Sequence, residues 1–245
     1  MIEAPFLKKI SVLPDRMNAN DFPFNALGFL TADFTLTFDT PITFFVGENG
    51  SGKSTVLEAI AGLCGFHESG GSNDHINYQS SDHTASALKR ALRPSWLPKV
   101  SKGFFFRSES FFNLANYIDQ AADLDNYGGT AMHGQSHGEA FLALFANRLG
   151  TDTRAMYLMD EPETALSPAR QLTFLSLLGE WEASGNAQMI IATHSPIILA
   201  YPNATIVQFG DGGLSQVSLE DTEHYRITKD FLSHPERYLK ELLKR

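Results

Sequence analysis

Apolar and polar positions alternate through Phe34-Thr35-Leu36-Thr37-Phe38, the two-residue period of a strand with one buried face, as in an antiparallel pair. Pro41-Ile42-Thr43-Phe44-Phe45-Val46 is almost wholly apolar, as expected of a strand covered on both faces. Phe6 to Val12 reads as a further N-terminal strand, and Thr55 to Leu63 as a helix. From Ala155 onward the pattern becomes strand (Ala155 to Met159), helix (Pro168 to Ser184), strand (Gln188 to Thr193), helix (Pro196 to Ala200) and strand (Thr205 to Phe209). That order implies parallel strands joined by right-handed crossovers. Between the two regular regions, His67-Glu68-Ser69-Gly70-Gly71-Ser72-Asn73-Asp74 is rich in turn formers and predicts a surface loop. The stretch from Asp221 predicts a charged helix or helix pair with Leu239, Leu242 and Leu243 on one side. The resulting expectation is one α/β domain with a mostly parallel core sheet and an N-terminal antiparallel strand region. Its core spans 1–66 and 151–220, with an inserted helical or irregular lobe at 67–150 and a helical tail at 221–245.

Composition supports one globular unit: 245 residues, 43% hydrophobic, 19% charged and 11% aromatic. Runs such as Ile42 to Val46 and Phe141 to Ala146 fall short of the roughly 20 residues of a membrane span. Met1-Ile2-Glu3 lacks the basic start of a signal peptide. A lone cysteine, Cys64, excludes an intramolecular disulfide and a cysteine metal site. A cytoplasmic protein without direct membrane insertion is expected. The net charge of −9 opposes indiscriminate coating of nucleic acid. However, His83 to Ser108 holds Lys89, Arg90, Arg93, Lys99, Lys102 and Arg107, no acid, Trp96 and three Phe, a local charge of +6. This stretch suits either a nucleic-acid or protein-binding face or a solvated lobe balancing the acidic remainder.

Gly47-Glu48-Asn49-Gly50-Ser51-Gly52-Lys53-Ser54 matches G-x-x-x-x-G-K-[ST] between a buried strand and a helix, the context a phosphate loop requires. Candidate contacts to a nucleoside triphosphate are Gly47, Asn49, Gly50, Ser51, Gly52, Lys53, Ser54 and Thr55. Their backbone N–H groups and the helix N-terminus favour phosphate, Lys53 reaches its outer oxygens, and the Ser54 hydroxyl suits Mg²⁺. Ala155-Met156-Tyr157-Leu158-Met159 delivers Asp160 and Glu161 at a strand end. Asp160 is the candidate for the Mg²⁺ shell and Glu161 for polarising the attacking water. Gln188 to Thr193 similarly delivers His194, which can hydrogen-bond a γ-phosphate. Ser195 and Pro196 beside it form a helix cap.

These residues resemble the ABC-type P-loop ATPases, in particular a small stand-alone bacterial branch often labelled AAA family and related to chromosome-maintenance and recombination ATPase heads. The likeness includes Gln135-Ser136-His137-Gly138-Glu139 at the place of the family signature, Ala165-Leu166-Ser167 after Glu161, and His194. Gly103 to Phe112 and Asp221-Thr222-Glu223-His224-Tyr225-Arg226 look like this branch. The resemblance implies ATP and Mg²⁺ as ligands, hydrolysis of ATP, and a head-to-tail homodimer in which Ser136 and Gly138 of one copy meet the γ-phosphate held by another. Ser136 and Glu139 also form a capping box, a role that needs no ligand. His137 and Glu139 depart from the usual glycine and glutamine, and Ser167 stands where many members have aspartate. Arg107, or Glu109, falls near the usual coupling glutamine, with Gln79 too close to the phosphate loop. An arginine there would address phosphate rather than metal. Phe22 and Phe24 are candidates for adenine stacking.

The function expected is an ATP-dimerised, ATP-hydrolysing switch acting on a partner protein or nucleic acid. Alternatives are the nucleotide-binding subunit of a membrane transporter and a nucleotide-gated module of a defence or toxin-type complex. A small-molecule kinase would leave the signature and His194 without a role.

Overall fold

The computed structural model describes residues 2–66, 86–108, 142, 152–210 and 212–243. The alternating segment becomes β2 (Thr35–Thr37), with Leu36 buried and both threonines exposed. It pairs antiparallel with β1 (Leu7–Val12), whose other edge pairs antiparallel with β4 (Leu92–Trp96). The continuous apolar segment becomes β3 (Ile42–Val46), buried at every position. It lies inside a six-stranded sheet with β5 (Gly103–Arg107), β6 (Ala155–Asp160), β7 (Ala187–Ala192), β8 (Thr205–Gly210) and β9 (Gly213–Val217), in the order β5-β6-β7-β3-β8-β9. Neighbours from β5 to β8 are parallel, and β9 closes the edge as an antiparallel hairpin with β8.

Alternate residues of the parallel strands enter cores on opposite faces, which explains the missing polar period. Phe45, Phe105, Leu158, Ile190 and Val207 pack with α1 (Lys53–Cys64) and the antiparallel sheet. Phe44, Phe104, Tyr157, Ile191 and Ile206 pack with α3 (Pro168–Ser184) and α4 (Pro196–Leu199). Gln188 joins the two sheets. Fully buried in β7, it accepts hydrogen bonds at Oε1 from the N–H groups of Phe6 (2.7 Å) and Leu7 (2.8 Å) and donates from Nε2 to Leu7 O (3.0 Å).

Two strands of the stretch 67–150 belong to the core: β4 completes the antiparallel sheet and β5 pairs with β6. The segment 86–108, which also holds α2 (Ser86–Ala91), is therefore not part of a separate lobe. Arg93 and Pro94 interrupt the apolar pattern of β4, whereas β5 carries the continuous buried run Phe104-Phe105-Phe106. The tail forms α5 (Glu223–Ser233) and α6 (Pro235–Leu242). Leu239 and Leu242 of this tail, with Leu243 after it, are exposed. No helix among the described residues is long and apolar enough to cross a membrane.

Candidate functional site

The parallel register brings the carboxyl ends of four strands together: Arg107 is level with Asp160, and Asp160 with Ala192, which is level with Phe45. The loops that follow β3, β6 and β7 carry the chemistry, at the strand edge where open α/β sheets bind ligands.

The loop after β3 requires glycine at two close approaches. A Cβ on Gly47, at φ +147°, would lie 2.4 Å from Phe209 O; one on Gly52, at φ +95°, would lie 2.7 Å from Leu27 Cδ1. Lys53 opens α1 and is buried. Its Nζ donates to Gly47 O (2.7 Å) and Glu48 O (2.9 Å), which wraps the loop around the ammonium. Burial lowers the Lys53 pKa, while Glu161, Asp160, Glu48 and Glu163 pull it upward. Thr55 follows in the first turn. The Ser51 hydroxyl is buried without a hydrogen-bond partner, an opening that a phosphate oxygen would fill.

Ser54 Oγ donates to Asp160 Oδ1 at 3.1 Å, across an interval of 106 residues. A hydroxyl and a carboxylate held together fit Mg²⁺, which takes few protein oxygens and completes its shell with water and substrate phosphate. Among the described residues there is no larger cluster of His, Cys, Asp or Glu suited to a metal.

Glu161 follows Asp160 in the left-handed region, φ 52° and ψ 55°, a strained conformation for a residue with a Cβ. Its N–H donates to Ala192 O (2.9 Å), and Thr164 Oγ1 donates to Glu161 O (2.8 Å), so both sides of the turn are held. Its Oε1 lies 3.7 Å from His194 Nε2. That nitrogen is buried and has no hydrogen-bond partner. His194 Nδ1 is 2.6 Å from Nε2 of His224 on α5. The His194 pKa falls to about 4, through burial first and then the Lys53 ammonium and the adjoining His224 ring.

Three supporting residues have no assigned role in the sequence pattern, although His224 lies in the Asp221 to Arg226 segment that resembles the family. Glu163 accepts from Thr193 Oγ1 (2.7 Å) and from the His194 N–H (2.6 Å), tying the turn after Glu161 to the end of β7. Burial chiefly pushes its pKa upward. Gln171 of α3 accepts from Ser195 Oγ (2.5 Å) and donates to Leu166 O (3.1 Å). His224 is the third. The proximity of Glu163 to the Asp160-Glu161 pair was its one sequence signal; its partners 30 and 31 residues away left no spacing to read.

Arg107 sits at the end of β5 beside Asp160 and forms an ion pair with Glu58 of α1 (3.0 Å), placing it at the rim of the site. Phe24 belongs to the core and Phe22 projects outward; neither lines the cleft beside the phosphate loop. That cleft of about 420 Å³ is lined by Phe29, Gly28, Asn49, Gly50, Gln208 and Phe209, among others. Phe29 meets Phe209 edge-on at 5.5 Å and is the aromatic available to a base. Its one-sided exposure follows from chain folding, and no local sequence pattern marks it. Ser136, Gly138, Glu109 and Gln79 lie outside the described residues. Ser167 caps α3, accepting from Arg170 N at 3.4 Å.

A family profile described as "AAA domain" matches residues 24–102. Another, "AAA domain, putative AbiEii toxin, Type IV TA system", matches 124–200. The cytochrome c biogenesis ATP-binding export protein CcmA of Mesorhizobium japonicum is 30% identical over 162 residues, covering 62% of this chain and 77% of the relative. The tungstate uptake system ATP-binding protein TupC of Peptoclostridium acidaminophilum is 27% identical, covering 66% and 78%. In structure the chain is similar to cbiO1 from Clostridium perfringens, part of the ABC transporter complex cbiONQ, with TM-score 0.55, 19% identity and coverage of 98% and 99%. An SMC head bound to the C-winged helix domain of ScpA gives TM-score 0.51 at 14% identity, covering 88% and 98%. With the phosphate loop, the Ser54–Asp160 pair, Glu161 and His194 converging on one sheet edge, these likenesses show that the chain belongs to the ABC-type P-loop ATPases, enzymes that hydrolyse ATP.

Proposed function

We propose that this ATPase is a switch that closes as a homodimer around Mg-ATP and acts on a partner protein or nucleic acid. The observation that carries the site assignment is the pair of buried, unpartnered polar atoms, Ser51 Oγ and His194 Nε2, within the same group of loops as Lys53 and Glu161. The base occupies the Phe29 cleft, and the phosphates follow the loop from Gly47 through Asn49, Gly50, Ser51 and Gly52 to Ser54 and Thr55. Lys53 neutralises the outer phosphates. Ser54 and Asp160 hold Mg²⁺, whose charge offsets that of the phosphates when bound. Glu161 accepts a proton from water as the water oxygen bonds to γ-phosphorus and the bond from γ-phosphorus to the β,γ-bridging oxygen breaks, with that oxygen leaving on ADP. His194 donates to a γ-phosphate oxygen. Ser136 and Gly138 of a second copy complete the site, and Arg107 tunes its rim.

The partner reading draws support from the basic stretch, where Arg90, Arg93, Lys99 and Lys102 are exposed. A second reading, a transporter's nucleotide-binding subunit, draws support from the relatives CcmA and TupC, whose names describe export and uptake ATP-binding proteins. A defence or toxin-type role has support in the profile across 124–200.

The deciding measurement is the solution mass of Glu161→Gln by light scattering, with and without Mg-ATP. Doubling with ATP is the expected result. A monomer with ATP bound overturns the homodimer and directs attention to a complementary subunit from another chain.

A further inference from the structure

We propose that His224 is a positioning residue for the ATPase site: its Nε2–H donates to His194 Nδ1 and holds His194 as the tautomer with its proton on Nε2. This rests on the reading that His194 touches the γ-phosphate.

The two rings approach at 2.6 Å between nitrogens, with centroids 4.7 Å apart and planes inclined at 61°. One ring must donate and the other accept. The opposite face of His194 decides the direction. Its Nε2 is buried without a hydrogen-bond partner, and the Glu161 carboxylate lies 3.7 Å away. Carboxylate and phosphate oxygens only accept, so a lone pair on Nε2 would meet them unfavourably, whereas an N–H is matched to both. A neutral imidazole has one proton to place; with it on Nε2, Nδ1 accepts and His224 donates. Burial first, and then the nearby Lys53 ammonium, keep His194 neutral near pH 7, which makes tautomer selection necessary.

The backbone of His194 is held separately, by the Glu163 carboxylate on its N–H. Glu163 therefore places the residue and His224 orients its ring. By analogy with the outer partners that orient metal-bound histidines, whose loss costs about 10- to 100-fold, an effect of that order is expected although His224 touches no substrate. His224 comes from α5, beyond the last core strand, and the buried Thr222 anchors the preceding turn by donating from Oγ1 to Leu219 O at 2.7 Å. Helix α5 thus reaches back to the loop that carries His194.

The test uses the full chain labelled with ¹⁵N-histidine and free of nucleotide. A long-range proton–nitrogen spectrum near pH 7.5 reads the tautomer, with His194 assigned through His194→Gln. Wild type is expected to show Nε2 protonated and Nδ1 accepting. His224→Leu should lose that preference and lower kcat about tenfold, leaving KM for ATP within about threefold; His224→Gln, which retains an N–H donor, should restore both the tautomer and kcat to within about threefold. A wild-type His194 protonated on Nδ1 overturns the proposal even if a variant fails to fold. So does an unchanged tautomer or kcat in His224→Leu, or a folded His224→Gln as defective as the leucine variant. His194→Ala with undiminished turnover would instead reject the γ-phosphate contact, while the wild-type spectrum still judges the pairing.

Discussion

Glu163 illustrates how one buried carboxylate fixes two loops. Its oxygens accept from Thr193 and from the His194 N–H, so Glu163→Ala leaves two donors unpaired at the loop that carries His194. The expected outcome is a fall in kcat of tenfold or more with ATP affinity within about threefold, read by phosphate release and nucleotide titration. His194 makes a prediction about acid. Its folded pKa of about 4 lies below the ordinary 6.5, so between those values the unfolded chain binds more protons. The stability contribution is therefore present above pH 6.5 and is lost as pH falls toward 4. In nucleotide-free protein, thermal midpoints from pH 7.5 to 4.5 should drop more in wild type than in His194→Gln. Cys64 has the opposite sign: burial raises its thiol from 9.0 to about 12, so its contribution is present below pH 9 and fades as pH rises toward 12. At pH 8 a thiol reagent should label it at the rate of global or local opening, and denaturant should expose it fully.

Between elements, Gln188 is the principal polar join. Gln188→Leu preserves approximate bulk but leaves the N–H groups of Phe6 and Leu7 and the carbonyl of Leu7 without their buried partner. A loss of about 3 kcal/mol is expected by denaturant titration. Hydrogen exchange should accelerate first in β1, because its remaining lateral partners, β2 and β4, belong to the same small sheet. The strand-to-helix order was legible because buried β3, β6 and β7 and helix α3 each have a strong local pattern and the caps Ser167 and Ser195 mark helix starts. The edge strands β4 and β9 were not legible. Their side chains are mostly part-exposed, so no apolar period distinguishes them from loop.

At the scale of the whole molecule, the acidic chain concentrates positive charge on α2, β4 and the approach to β5. Lys89 lies along α1 against Gly62, Arg90 and Arg93 are exposed, and Arg107 turns instead to Glu58. If this face binds DNA, affinity should fall steeply with salt, and Lys89, Arg90 and Arg93 replaced together by Ala should lower the log–log salt slope by about 2–3. Absence of binding at low salt rejects the face.

The sequence by itself determined the alternation of the core and which candidate residues stand at its strand ends. The phosphate loop, Asp160-Glu161 and His194 are marked by residue type and by the apolar strands before them, information that is local in the chain. Only the tertiary structure decided that β5 lies beside β6, that Arg107 meets Glu58, that Phe29 rather than Phe22 or Phe24 lines the cleft, and that Glu163 and His224 grip His194. Those outcomes depend on strand order and on hydrogen bonds between residues about 30 or more positions apart or on one-sided exposure set by packing, and neither leaves a periodic mark on the sequence.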